Sequence, residues 1–122
     1  MTKEEIMERL SDDGKMLKLS DTQITDDDLK HLKGLAQLDW LSLRNTQVTD
    51  AGLVHLKGLK KLRWLSLNDT QITDAGLVHL KGLKKLKCLC LHNTQVTDAG
   101  VADLQKALPD CFIYYSKDYQ CN

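Results

Sequence analysis

Residues 88–92 read Cys-Leu-Cys-Leu-His, and two thiolates with an imidazole form a donor set that zinc accepts. Alternate side chains of an extended strand stand about 6.5 Å apart, so Cys88, Cys90 and His92 would span about 13 Å along one face. That is too long for three ligands on one ion. Cys88 and Cys90 could serve as two, with further ligands from elsewhere; otherwise the thiols are adventitious and no stoichiometric metal is expected. The same spacing keeps the two from bonding to each other without distortion. Cys111 and Cys121 pair only if the C-terminal segment folds back.

Other chemistry fares less well. The chain has no glycine-rich phosphate loop, no G-x-S-x-G and no H-E-x-x-H, so no catalytic residue and no cofactor is expected. His31, His55 and His79 recur at a constant step of 24, with Asp103 in the fourth place. They are copies of one surface position, held too far apart across packed helices to share a metal. With 17 basic and 17 acidic side chains, no net field draws the protein to nucleic acid or an anionic membrane. No apolar run reaches the roughly 20 residues that span a bilayer. The opening MTKEEIMERL lacks the apolar centre of a signal peptide, which favours the cytoplasm. The residue types left with a function to perform are the aromatics and arginine, which suit recognition.

The elements that position them repeat. Thr22, Thr46, Thr70 and Thr94 each open a T-Q-[IV]-T-D segment at intervals of 24. Within a unit, Leu41 and Leu43 alternate as on a strand with one buried face. Leu53, Leu56 and Leu59 then step by three, as on a helix. One unit cannot bury both apolar sides alone, and stacking on its copies makes the core continuous. Strands neighbour at about 4.8 Å while helices need about 8–10 Å, so the stack must arc with its sheet inside. Thr25, Thr49, Thr73 and Thr97 suit helix N-caps, each followed by an Asp that the helix dipole favours. The dipole likewise accounts for the cluster Asp26, Asp27 and Asp28, and for Lys57, Lys60 and Lys61 with their copies Lys81, Lys84 and Lys85 toward the helix ends. Gly52, Gly76 and Gly100 allow neighbouring units to approach closely.

In this T-x-[IV]-T-D-A-G-L wording the chain resembles the leucine-rich repeats of bacterial proteins, over roughly residues 15 to 116. The resemblance implies an α/β fold: a right-handed leucine-rich-repeat solenoid, a horseshoe arc with a parallel sheet on the concave face and helices on the convex face. One domain is expected over 1–122. Residues 1–14 form an N-terminal cap opened by the capping box Thr2 to Glu5, 15–110 form four repeats, and 111–122 supply a last strand and cap. For function the resemblance implies little beyond binding, because the family takes unrelated partners.

Three ladders therefore face the concave surface. The first is Met16, Trp40, Trp64, Cys88 and Phe112. The second is Lys18, Ser42, Ser66, Cys90 and Tyr114, and the third is Ser20, Arg44, Asn68, His92 and Ser116. Between residues 41–64 and 65–88, five of 24 positions differ, four of them in or beside the strand, while GLVHLKGLKKL is copied unchanged. Alike helices serve the stack; distinct strand positions serve recognition. The expectation is a non-catalytic scaffold that binds a protein partner through this surface. A second copy of the chain could meet the concave face or the terminal strand edge. The alternatives are a structural or engineered array without a ligand, and a metal- or redox-responsive module using Cys88 and Cys90.

Overall fold

In the computed structural model, which describes residues 1–115, the five strands are β1 (Met16–Lys18), β2 (Trp40–Ser42), β3 (Trp64–Ser66), β4 (Cys88–Cys90) and β5 (Phe112–Tyr114). They form one parallel sheet in chain order, each residue paired with the one 24 positions on: Met16 with Trp40, Trp40 with Trp64, Trp64 with Cys88, Cys88 with Phe112. The sheet is open. Leu17, Leu41, Leu65 and Leu89 point inward and are fully buried, joined beneath by Leu29, Leu53, Leu77 and Leu104. The interior is one continuous cluster, as stacking requires.

The segments on the other side are helical, but mostly too tight for α-helix. Asp27–Leu32, Asp50–Leu56 and Val78–Leu80 are 3₁₀, α2 covers Asp74–Leu77, and only α3 (Asp98–Ala107) reaches 10 residues. Units that advance by a strand spacing leave little width for an α-helix, and the narrower 3₁₀ form fits that step. The shortening moves the lysines. Lys57 and Lys81 stand at the ends of helical segments, but Lys60, Lys61, Lys84 and Lys85 lie in the turns beyond them, where the dipole does not account for them. The N-terminal helix α1 (Lys3–Met7) carries the expected capping box and buries Ile6.

Besides the shared core and the sheet, a polar staple joins unit to unit. Thr49 caps its own segment through Ala51 N–H, and Thr73 does the same through Ala75 N–H. The Asp after each Thr reaches forward. Asp26 accepts from Thr49 N–H at 2.7 Å and from its hydroxyl at 2.5 Å. Asp50 grips Thr73 in the same two-pronged way, and Asp74 grips Thr97. The glycines provide the room: a Cβ on Gly52 would lie 2.5 Å from Asp26 Oδ1, and one on Gly76 2.9 Å from Asp50 Cγ. The Asp read as a dipole partner thus acts mainly as a clamp. A second column stands at the strand exits. Asp21, Asn45, Asp69 and Asn93 all have positive φ, between 53° and 60°. Asn and Asp tolerate this conformation better than other residues bearing a Cβ. Asn45 donates to Asp21 and Asn93 to Asp69, each at 2.7 Å.

Candidate functional site

Parallel pairing in register sets like side chains side by side, and the first ladder shows the consequence. Trp40 and Trp64 stack with ring centroids 4.4 Å apart and planes within 2°. Each indole covers one face of the other, so both are half-buried. Cys88, also half-buried, stands on the far side of Trp64, and Met16 on the far side of Trp40. Met16 is 46% and Phe112 69% exposed, so the row runs from one solvent-facing apolar residue to another across every strand.

The second and third ladders are less open than alternation suggests. Lys18 and Arg44 are exposed, and Tyr114 and His92 are half-buried. Ser42, Ser66, Asn68 and Cys90 are buried, at 6% exposure or less. Facing the right side of a sheet does not guarantee contact with water. A short side chain set between taller neighbours is shaded, and the polar ones are engaged: Ser20 Oγ and Ser42 Oγ lie 2.5 Å apart, and Asn68 Oδ1 accepts from His92 N–H at 2.7 Å. Arg44 leans to Asp69, its Nε 3.6 Å from Oδ2. Ser116 lies outside the described residues. The accessible face therefore contracts to the first ladder flanked by Lys18, Arg44, His92 and Tyr114.

The sulfur atoms of Cys88 and Cys90 are 4.0 Å apart, closer than extended geometry suggests. Cys90 is disulfide-bonded and so offers no thiolate to a metal. Burial pushes the Cys88 thiol up. Cys111 is a free, buried thiol pushed up to about 12, first by burial and then by the nearby Cys88. It does not pair, and Cys121 lies outside the described residues. Among the described residues, no three His, Cys, Asp or Glu side chains are grouped to hold a metal ion. His31, His55 and His79 are half-buried on the helical side. Among the described residues, buried ring nitrogens of His79 (Nδ1) and His92 (Nε2) lack a hydrogen-bond partner.

One cluster escaped sequence reasoning. Lys15, Asp39, Arg63 and Lys87 each precede a strand by one residue, at the 24-residue step. Turn lysines Lys61, Lys84 and Lys85 join them around a groove of about 480 Å³. The signal was present in the spacing, one position ahead of the first ladder.

Among the described residues, no helix is long and apolar enough to cross a membrane. The family described as leucine rich repeats (2 copies) matches residues 60–106. Internalin C2 from Listeria monocytogenes is similar in structure, with TM-score 0.68 and 31% identity over 84% of this chain and 44% of that one. A leucine-rich-repeat protein from Leptospira interrogans gives TM-score 0.65 and 30% identity over 81% of this chain and 24% of its own. The chain thus spans less than half the length of these bacterial neighbours. The Chaetomium Mex67:Mtr2 structure shares the fold alone, at TM-score 0.69 and 18% identity over 92% of this chain and 86% of that one. No curated protein matches significantly.

Proposed function

This chain is a bacterial-type leucine-rich-repeat solenoid, and from that premise we propose that it is a non-catalytic scaffold whose sheet face binds a protein partner. Leucine-rich-repeat proteins commonly act in protein–protein interaction. The observation that carries the reading here is the apolar row Met16–Trp40–Trp64–Cys88–Phe112, which crosses the whole sheet and keeps both ends in water. Indoles are frequent interface hot spots, and a stacked pair presents a large rigid surface with little conformational entropy left to lose on binding. Lys18, Arg44, His92 and Tyr114 frame the row with polar groups, the usual arrangement of an interface rim.

The test compares the intact chain with Trp40→Ala and Trp64→Ala in affinity capture from the source cell, with molar mass measured alongside. A hot-spot indole is worth about 2 kcal/mol or more, so each variant should bind a captured protein at least about 30-fold more weakly. A partner that binds both variants as tightly as the parent would refute the assignment of the site. A dimer that dissociates in the variants would identify the partner as a second copy.

A further inference from the structure

The groove at the strand entrances holds six cationic side chains, Lys15, Lys61, Arg63, Lys84, Lys85 and Lys87, against the single carboxylate of Asp39. The whole chain has no net charge, so this one region carries +5 and the remainder balances it. Backbone hydrogen bonds fix the arrangement. Arg63 N–H donates to Asp39 C=O at 2.8 Å and Lys87 N–H to Arg63 C=O at 2.8 Å, so these side chains follow one another at the strand spacing. Lys61 donates to Gln37 at 3.0 Å and Lys84 to the Ala107 carbonyl at 2.9 Å. Among the described residues, Lys30, Arg44 and Lys81 are the only Lys and Arg side chains in ion pairs, so Lys15, Arg63, Lys85 and Lys87 are unpaired, as are most cations elsewhere on the surface. Packing six cations around one carboxylate costs free energy, so the cluster is accounted for by what it would meet.

We propose that this groove binds an acidic peptide segment, at a site separate from the tryptophan row. A lone exposed ion pair contributes little, so a single small anion would be held weakly; a chain that meets four or more of these cations at once sums their contributions. Two features select a peptide over a nucleic acid. No aromatic ring lines the groove on which a base could stack. Asp39 stands in its middle, where a phosphodiester backbone has no N–H to satisfy the carboxylate and a peptide has one at nearly every residue. The neutral chain also lacks the long-range positive field of a nucleic-acid binder.

The experiment titrates the full chain with an acetylated ten-residue Glu-rich peptide, with inorganic polyphosphate and with a single-stranded oligonucleotide of matched charge, at two salt concentrations. The peptide should bind one to one and lose affinity with salt. Arg63→Glu with Lys85→Glu should weaken it at least about tenfold. Lys3→Glu with Lys30→Glu, outside the groove, should leave it unchanged, as should Trp40→Ala, so failure here is separate from failure of the sheet-face reading. Equal binding by the Arg63→Glu, Lys85→Glu variant, or tighter binding of polyphosphate or the oligonucleotide than of the peptide, would overturn the proposal.

Discussion

Replacing Gly76 by Ala should destabilise the protein, although Gly to Ala in a helical segment ordinarily stabilises by about 0.5–1 kcal/mol. The reason lies in the preceding unit. A Cβ on Gly76 would fall well inside contact distance of Asp50 Oδ1, 2.9 Å from its Cγ and 3.1 Å from Leu53 Cδ1. The carboxylate must move, and with it go both hydrogen bonds to Thr73, from the backbone N–H at 2.8 Å and from the hydroxyl. Hydrogen bonds to a charged group contribute about 1.5–3 kcal/mol each. Asp50 and Thr73 are only half-buried, so the low end applies and the pair contributes about 3 kcal/mol. After the helical gain, Gly76→Ala should cost about 2 kcal/mol, or a fall in Tm of roughly 6–10 °C for a domain of this size. Gly58→Ala is the control, because a Cβ there meets nothing within 4 Å; its Tm should hold or rise slightly. Thermal unfolding followed by far-UV circular dichroism reads both. Asp50→Ala with Gly76→Ala closes a double-mutant cycle: once the carboxylate is gone, the added methyl has nothing to displace, and the two costs should fall well short of additive. A Gly76→Ala protein as stable as the parent, or strictly additive costs, would refute the staple.

Two further outcomes follow from the geometry. Burial holds the folded Cys111 thiol near 12, above its ordinary value of 9.0, so the folded state keeps a proton that the unfolded chain releases. The associated stability is fully present below pH 9 and declines as pH rises toward 12; urea melts across that window should show the decline, and Cys111→Ala should flatten it. At the left-handed exit of β2, Asn45→Gly should retain more stability than Asn45→Ala by about 1 kcal/mol, because only the second forces a Cβ into positive φ; equal denaturation midpoints would show that the Asn45–Asp21 hydrogen bond, lost in both, is all that matters there.

The register of the sheet was legible because a constant 24-residue step leaves one way to align strands whose leucines must all point inward. The same step put Trp40 beside Trp64, and the pair stacks. Less legible was anything that depends on how far a side chain reaches. Ser66 and Cys90 alternate with buried leucines and yet are buried themselves, since accessibility is set by neighbouring heights as well as by facing. Asp50 was readable as a helix-start residue, but its reach to Thr73 depends on the gap between units, which the 3₁₀ conformation narrows. The alternating Asp21, Asn45, Asp69, Asn93 column carried a usable signal, since those two residue types favour the left-handed region. Lys85 lies in a turn and Arg63 just ahead of a strand, and only the close turns after Leu56 and Leu80 draw such positions into one groove.

The staple also explains where the units stop resembling one another. Each Thr expects a carboxylate from the unit before it, and Thr25 has none. Its N–H is met instead by Asp28 Oδ2 at 3.0 Å, while Asp28 N–H donates to Thr25 Oγ1 at 3.2 Å. Asp28 occupies the place that Gly52, Gly76 and Gly100 hold in later units; with no earlier carboxylate to accommodate, that place is open to a side chain. The terminal ammonium of Met1 lies 2.9 Å from the same oxygen, and that contact, foremost, holds the Asp28 carboxyl below the usual range. At the other end Asp98 has no following Thr, and the Tyr115 hydroxyl donates to it at 2.6 Å, a bond that raises the tyrosine's own titration. A translational repeat leaves one unmet donor at its start and one unmet acceptor at its finish, and the departures from the repeat at Asp28 and Tyr115 fall where those two groups must be satisfied.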